Sequence, residues 1–400
     1  MAKHARSHTD DLRGASRLAI EATRGVTALV EEMHATIAGG PAVLGHPLAG
    51  PAKLATGLVY GTIRGVTQLV GAGIDLALAQ LGPVLGASAP GLEREVVRAV
   101  LNGVLGDYLS ETGNPLAIEM SFRDAGVPLE LTREALQARA PSAGAKLVVL
   151  IHGSCMTDLQ WMRQGHDHGA ALARDLGYTP LYLHYNSGLH ISTNGRAFAA
   201  LLDQLVTAWP VPVEEVVLLG HSMGGLVARS ACHVSEQAGL AWRSKLRALV
   251  TLGTPHHGAP LERGGNWIDV LLGVSRYSAP LARLGRIRSA GITDLRYGNV
   301  RDEDWQGRDR FARGADPRHA LDLPAGVRCY AVAGTLSTVL AGRLRSDGIV
   351  PVDSALGTHA TTTRALGFPT AHRHIALGTG HVDLLGSPAI YAAIRTWLAT

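Results

Sequence analysis

Residues 216–225 read Val-Val-Leu-Leu-Gly-His-Ser-Met-Gly-Gly, an apolar run that ends in Gly-x-Ser-x-Gly. The short run Val216–Leu219 suits a strand buried on both faces, as in a parallel sheet. The stretch that follows suits a helix. A serine wedged between the two sits on a sharp strand-to-helix turn with its hydroxyl exposed. Gly220 and Gly224 lack a Cβ, so the chain turns tightly and the helix passes close to the strand. The pattern therefore predicts an α/β sheet and marks Ser222 as a candidate nucleophile.

Strand–helix alternation surrounds this elbow. Lys146–Ile151, Pro180–Tyr185, Val216–Leu219, Ala248–Leu252, Val327–Ala333 and Arg373–Leu377 read as short apolar strands. Helical stretches near 158–176, 195–209, 225–238 and 387–398 separate most of them. Repeated βαβ units imply a mostly parallel central sheet with helices on both faces. Ligands to such a sheet bind at the carboxyl ends of its strands. Residues 116–131 alternate around Asp124-Ala-Gly-Val-Pro128 and suggest an antiparallel hairpin at a sheet edge.

Two segments fall outside the alternation. Residues 1–90 carry two helical patterns that echo each other, Arg24-Gly-Val-Thr-Ala-Leu-Val30 and Arg64-Gly-Val-Thr-Gln-Leu-Val70, joined by a Gly- and Pro-rich stretch over 39–51. They predict a helical hairpin that packs on the rest of the chain, on a second copy of itself in a homo-oligomer, or on a peripheral lipid or granule surface. The catalytic domain is expected over 91–400. Within it, 258–324 separates two strands by far more than a connection needs, and it carries Trp267 and Leu271 in an apolar patch. This insertion is expected to form a cap or lid with its apolar part facing substrate.

Composition narrows the function classes. The formal charge is +4, and lysine and arginine are spread without a block, so no nucleic-acid partner is expected. Three cysteines (Cys155, Cys232 and Cys329) lie far apart, which argues against a disulfide framework and fits a reducing compartment. The N-terminus lacks the apolar core of a secretory signal, and no run of about 18 apolar residues is present. A cytoplasmic location, with peripheral membrane or granule association through 1–90, is the expectation.

A serine hydroxyl becomes a nucleophile when an imidazole takes its proton, and the imidazole needs a carboxylate to fix its tautomer. In this architecture the partners follow in the order acid, then histidine, each after a later strand. His381 follows the strand 373–377 through Gly378-Thr-Gly380 and precedes the last helix. Asp347, in Ser346-Asp-Gly-Ile-Val-Pro351, follows the strand before that one, with Asp353 and Asp322 as alternatives. The oxyanion of a tetrahedral intermediate needs backbone N–H donors. Met223 supplies one, and either Ser154 or Cys155, in His152-Gly-Ser-Cys155, supplies the other. The His152 and His221 side chains read as supports rather than acid–base groups. No metal site is expected: His166-Asp-His168, His256-His257 and His372-Arg-His374 come without a third ligand at metal spacing. No cofactor is required.

With these residues in hand, the chain from about 91 to 400 resembles the α/β-hydrolase superfamily. Within it, the bacterial lipase and esterase group related to PGAP1-like inositol-deacylases is the nearest likeness. The matching stretches are His152-Gly-Ser, Gly220-His-Ser-Met-Gly-Gly225, Leu252-Gly-Thr-Pro-His-His-Gly258, Asp347-Gly-Ile-Val-Pro351 and Gly380-His-Val-Asp-Leu-Leu385. Tyr185-Asn-Ser-Gly188 also looks like a family element near the site mouth. The resemblance implies carboxylic-ester hydrolysis through an acyl-enzyme. His152, Tyr185, Trp267 and Leu271 are expected to contact a hydrophobic acyl ester. Depolymerisation of an intracellular polyester of the polyhydroxyalkanoate type and a non-catalytic lipid- or granule-associated scaffold are the alternatives.

Overall fold

The computed structural model describes residues 92–139, 143–259, 289–309, 316, 318, 320–339 and 345–400. The hairpin expected over 1–90 lies outside them, as do Trp267, Leu271 and the central part of the expected lid.

A central sheet orders the described residues. Its strands are β1 (Ser121–Asp124), β2 (Val127–Pro128), β3 (Lys146–Ile151), β4 (Thr179–His184), β5 (Glu215–His221), β6 (Leu246–Leu252), β7 (Arg328–Thr335) and β8 (Arg373–Leu377). They lie side by side in the order β2-β1-β4-β3-β5-β6-β7-β8. The β1–β2 hairpin caps one edge and pairs antiparallel to β4, while every pairing from β4 across to β8 is parallel. The long β3–β5–β6 registers run from Lys146↔Glu215 to Ile151↔Gly220 and on to His221↔Leu252, which carries the elbow to the carboxyl end of the sheet.

Successive side chains of a strand point to opposite faces, and here both faces are apolar. Leu147, Val149 and Ile151 of β3 face one core and Val148 and Leu150 the other. The first core lies under α4 (Ile191–Ala208) and α5 (Met223–Ala238), through Phe198, Leu202, Leu205, Leu226 and Val227. The second lies under α3 (His168–Leu176) and α8 (Pro388–Ala399), through Ala171, Leu172, Ile390, Ile394 and Leu398. Full burial of each such aliphatic side chain contributes about 1.5–3 kcal/mol. That is why strands without a polar face are stable only between two helical layers.

Four further helices complete the described part. They are α1 (Leu92–Glu111), α2 (Arg133–Arg139), α6 (Ala290–Asp294) and α7 (Val352–Ala355). The helix expected over 158–176 is shorter than its pattern. A single 3₁₀ turn, Asp158–Trp161, is followed by a tight reversal in which Arg163 pairs with His166 and Gln164 and Gly165 take positive φ. The α-helix then starts at His168, where the Asp167 side chain accepts the N–H of Ala170.

Candidate active site

The turn between β5 and α5 is as tight as its glycines allow. A Cβ on Gly220 would stand 2.5 Å from the Gly225 nitrogen, and one on Gly224 would collide with the carbonyl oxygen of Ile151. Ser222, at the tip, has φ 53° and ψ −123°, a conformation that costs an L residue free energy and that the surroundings must hold. Two hydrogen bonds hold it: its N–H donates to the Leu252 carbonyl (2.8 Å), and its carbonyl accepts from Gly225 (3.1 Å).

Asp347 sits in a loop after β7 that is closed by an antiparallel bridge between Ser346 and Pro351. Its Oδ1 accepts the backbone N–H groups of Ile349 (3.0 Å) and Val350 (2.8 Å). Gly348, with φ 99°, makes that reversal. Oδ2 is left for the ring of His381, whose Nδ1 lies 2.7 Å away, with both side chains fully buried. The His381 N–H also donates to the Asp347 carbonyl (3.0 Å), so backbone and side chain tie the two loops together. Donation from Nδ1 to the carboxylate leaves Nε2 of His381 as the basic nitrogen. That nitrogen is buried and has no hydrogen-bond partner, so the Ser222 hydroxyl is not bonded to it in this structure.

Gly253 shows how near the three loops are. It follows Leu252, which holds the Ser222 N–H, and a Cβ on it would stand 3.1 Å from His381 Nδ1 and 3.2 Å from Asp347 Oδ2. The structure thus brings Ser222, Asp347 and His381 to one end of the sheet. The alternative acids lie elsewhere: the Asp353 carboxylate is near Thr358, and Asp322 is exposed ahead of β7.

Met223 is the first residue of α5, where a helix N–H has no intrahelical acceptor. The loop after β3 faces it: a Cβ on Gly153 would stand 3.0 Å from the Ser222 Cβ. Of the two alternatives in that loop, Cys155 is excluded as a free donor, because its N–H already donates to Ser187 Oγ (3.0 Å). Its thiol is buried too, and burial pushes it up to about 11, which disfavours a thiolate nucleophile.

His152 and Tyr185 are buried against each other. Each is about 1% exposed, and their rings stack 4.3 Å apart. The Tyr185 hydroxyl donates to the His152 carbonyl (2.8 Å), and the Tyr185 N–H donates to His152 Nε2 (3.4 Å). His152 Nδ1 lies 2.8 Å from the Gly153 carbonyl, so Nδ1 carries the proton and Nε2 accepts. Burial holds the ring neutral, down to about 3. The pair braces the loop from beneath, with both ring nitrogens of His152 and the Tyr185 hydroxyl in hydrogen bonds. His221 is a second brace: its Nε2 meets the His381 carbonyl at 3.0 Å, and burial keeps its pKa well below the usual imidazole value.

Behind His152 lies a polar network that sequence patterning did not reveal. Arg123 of β1 pairs with Glu95 of α1 (2.6 Å) and with Asp158 (3.3 Å), and His184 Nδ1 meets Asp158 at 3.2 Å. No local spacing signals it, since its four members come from four separate elements. The histidine pairs serve packing as well. His166 Nε2 meets His168 Nδ1 at 2.9 Å, and His168 Nε2 meets the Leu384 carbonyl at 3.0 Å. Among the described residues no group of His, Cys, Asp and Glu is arranged to hold a metal. No helix among them is long and apolar enough to cross a membrane.

Residues 143–318 match the family described as a PGAP1-like alpha/beta domain. No curated protein matches the chain. Among solved structures it is similar to the Bacillus licheniformis lipase BlEst2 in mature form, at 17% identity and TM-score 0.42 over 70% of this chain and 98% of that one. It is also similar to YbtT, a type II thioesterase of the yersiniabactin pathway, at 17% identity and TM-score 0.38 over 64% and 93%. A hormone-sensitive lipase from a metagenome library aligns at 18% identity and TM-score 0.37 over 64% and 78%. The matched residues take in β3 to β6 with the serine elbow after β5, and the sheet order with its mostly parallel pairing is that of an α/β-hydrolase fold.

Proposed function

We propose that the chain is a serine hydrolase of carboxylic esters, with Ser222 as nucleophile, His381 as general base and acid, and Asp347 as the carboxylate that orients the imidazole. The observation that carries this reading is the buried 2.7 Å contact between His381 Nδ1 and Asp347 Oδ2, beside a serine held in left-handed backbone. Ser222 Oγ attacks the ester carbonyl as its proton passes to His381 Nε2. The carbonyl oxygen takes the negative charge between the N–H groups of Met223 and Ser154. Collapse breaks the acyl–oxygen bond, and the Nε2 proton leaves with the alcohol. Water then attacks the acyl-enzyme, again giving a proton to Nε2, and the acid departs as Ser222 recovers its own. Each N–H donor to the oxyanion is worth about 10²–10³ in rate in sites of this kind.

A hydrophobic acyl group is the substrate we favour, held by the apolar stretch around Trp267 and Leu271 acting as a lid. The test is a chain-length series of nitrophenyl esters. The wild-type chain hydrolyses them and Ser222→Ala does not. Trp267→Ser or Leu271→Ser loses more on long acyl chains than on short ones, whereas equal loss across the series refutes the lid.

A further inference from the structure

We infer that Ser187 is a positioning residue that aims the oxyanion loop, an inference that rests on the esterase reading above. Cys155 takes φ 59°, a left-handed conformation rare for a residue with a Cβ. The one hydrogen bond that its N–H makes is to Ser187 Oγ, at 3.0 Å. The peptide that carries the Cys155 N–H is the next one along the chain from the peptide that carries the Ser154 N–H. Whatever fixes the first therefore limits where the second points.

Ser187 can act as a fixed acceptor because three elements clamp its loop. From α1, the Gly106 carbonyl accepts the Asn186 side-chain amide (2.8 Å), and a Cβ on Gly188 would collide with the Asn102 carbonyl. From α6, the Gly291 N–H donates to the Gly188 carbonyl (3.0 Å), and a Cβ on Gly291 would collide with the Ser187 carbonyl. From α4, the Asn194 side-chain amide donates to the Asn186 carbonyl (2.9 Å). On the other side, α1 presses on Cys155 itself, where a Cβ on Gly103 would run into its sulfur. Ser187 is about 1% exposed, so bulk water does not compete with its hydroxyl as acceptor.

Removing that hydroxyl strands a buried N–H, and the 154–155 peptide must turn to find another acceptor. Ser187→Ala should lower kcat by roughly 10- to 100-fold, below the ceiling for losing an oxyanion donor outright. KM and the fraction of sites titrated by a nitrophenyl-ester burst should stay at wild-type values. Affinity for a trifluoromethyl ketone, which forms the tetrahedral adduct, should fall by the same factor as kcat. Ser187→Thr keeps the acceptor oxygen and should recover most of the rate. If Ser187→Ala does not fold, Ser187→Cys, with a weakly accepting sulfur, should show the same split. Wild-type kcat per titrated site in the Ala or Cys variant, or a loss confined to KM, overturns the inference. A wild-type chain that forms no acyl-enzyme overturns the esterase reading, and this inference with it.

Discussion

Asp347→Asn inverts a hydrogen bond without changing shape, and the structure dictates which way the new amide points. Oδ1 of Asp347 accepts two backbone N–H groups, from Ile349 and Val350. An asparagine must place its carbonyl oxygen there. The flipped orientation would set its NH₂ against both donors and leave both N–H groups unpaired, the buried one of Val350 at about 1–3 kcal/mol and the half-buried one of Ile349 at less. With the oxygen so committed, the NH₂ faces His381 Nδ1, 2.7 Å from the present carboxylate oxygen. Nδ1 must then accept, and the ring proton moves to Nε2, the nitrogen required to take the proton of Ser222. Loss of the correct tautomer in a Ser-His-Asp triad costs about 10⁴ in kcat. We therefore expect Asp347→Asn to hydrolyse a short nitrophenyl ester about 10⁴-fold more slowly, with its urea unfolding midpoint close to wild type. Asp347→Ala should lose the same activity and also about 1–3 kcal/mol of stability, chiefly from the stranded Val350 N–H. An Asn variant within tenfold of wild-type kcat would refute the tautomer argument.

Other consequences follow from burial. Gly224→Ala should cost about 1–3 kcal/mol and most of the activity, because its methyl meets the Ile151 and His152 carbonyls and pushes the oxyanion loop off the elbow; thermal unfolding and ester turnover measure the two losses separately. Buried imidazoles should make the fold acid-sensitive. Burial lowers His152 to about 3 and His168 to about 4, and it takes His221 and His256 well below their ordinary value. Unfolded histidines titrate near 6.5, so the unfolded chain binds more protons below that pH. The stability that these neutral rings confer is complete above about pH 6.5 and lost as pH falls toward 4, with His168 alone worth about 3 kcal/mol. Urea midpoints at pH 7.5 and pH 5 should differ accordingly, and equal midpoints would contradict the burial argument. The three free thiols are buried, with Cys155 pushed up to about 11 and Cys232 and Cys329 to about 12. A thiol reagent at pH 8 should find no reactive cysteine among them in the native chain and all three in denaturant.

The sheet was readable because its strands are apolar at both parities, and helices on two faces demand that. β3 and β8 span the very residues expected, and the other parallel strands differ by one or two residues at an end. The 20-residue helix α1 was not readable. Residues 96–106 are buried on every side, so no polar face marks a helical period, and Gly103, Gly106 and four valines weaken its propensity. Ser222, Asp347 and His381 stood out because each lies in a local turn pattern that follows its own strand. The parts of Ser187 and Arg123 were hidden because their partners come from elements far apart in sequence. The same reason accounts for His152 and Tyr185: motif position placed them at the site, but only packing shows that they stack on each other beneath the loop.

The central claim is that the Ser222 hydroxyl is activated by His381, itself held by Asp347. Its most direct test is mass spectrometry of the native chain after brief treatment with a fluorophosphonate. The account predicts a single adduct on the peptide that carries Ser222, abolished by denaturation in urea before labelling and by His381→Ala. An adduct elsewhere, or labelling of Ser222 that is as fast in the denatured chain or without the imidazole, would contradict it.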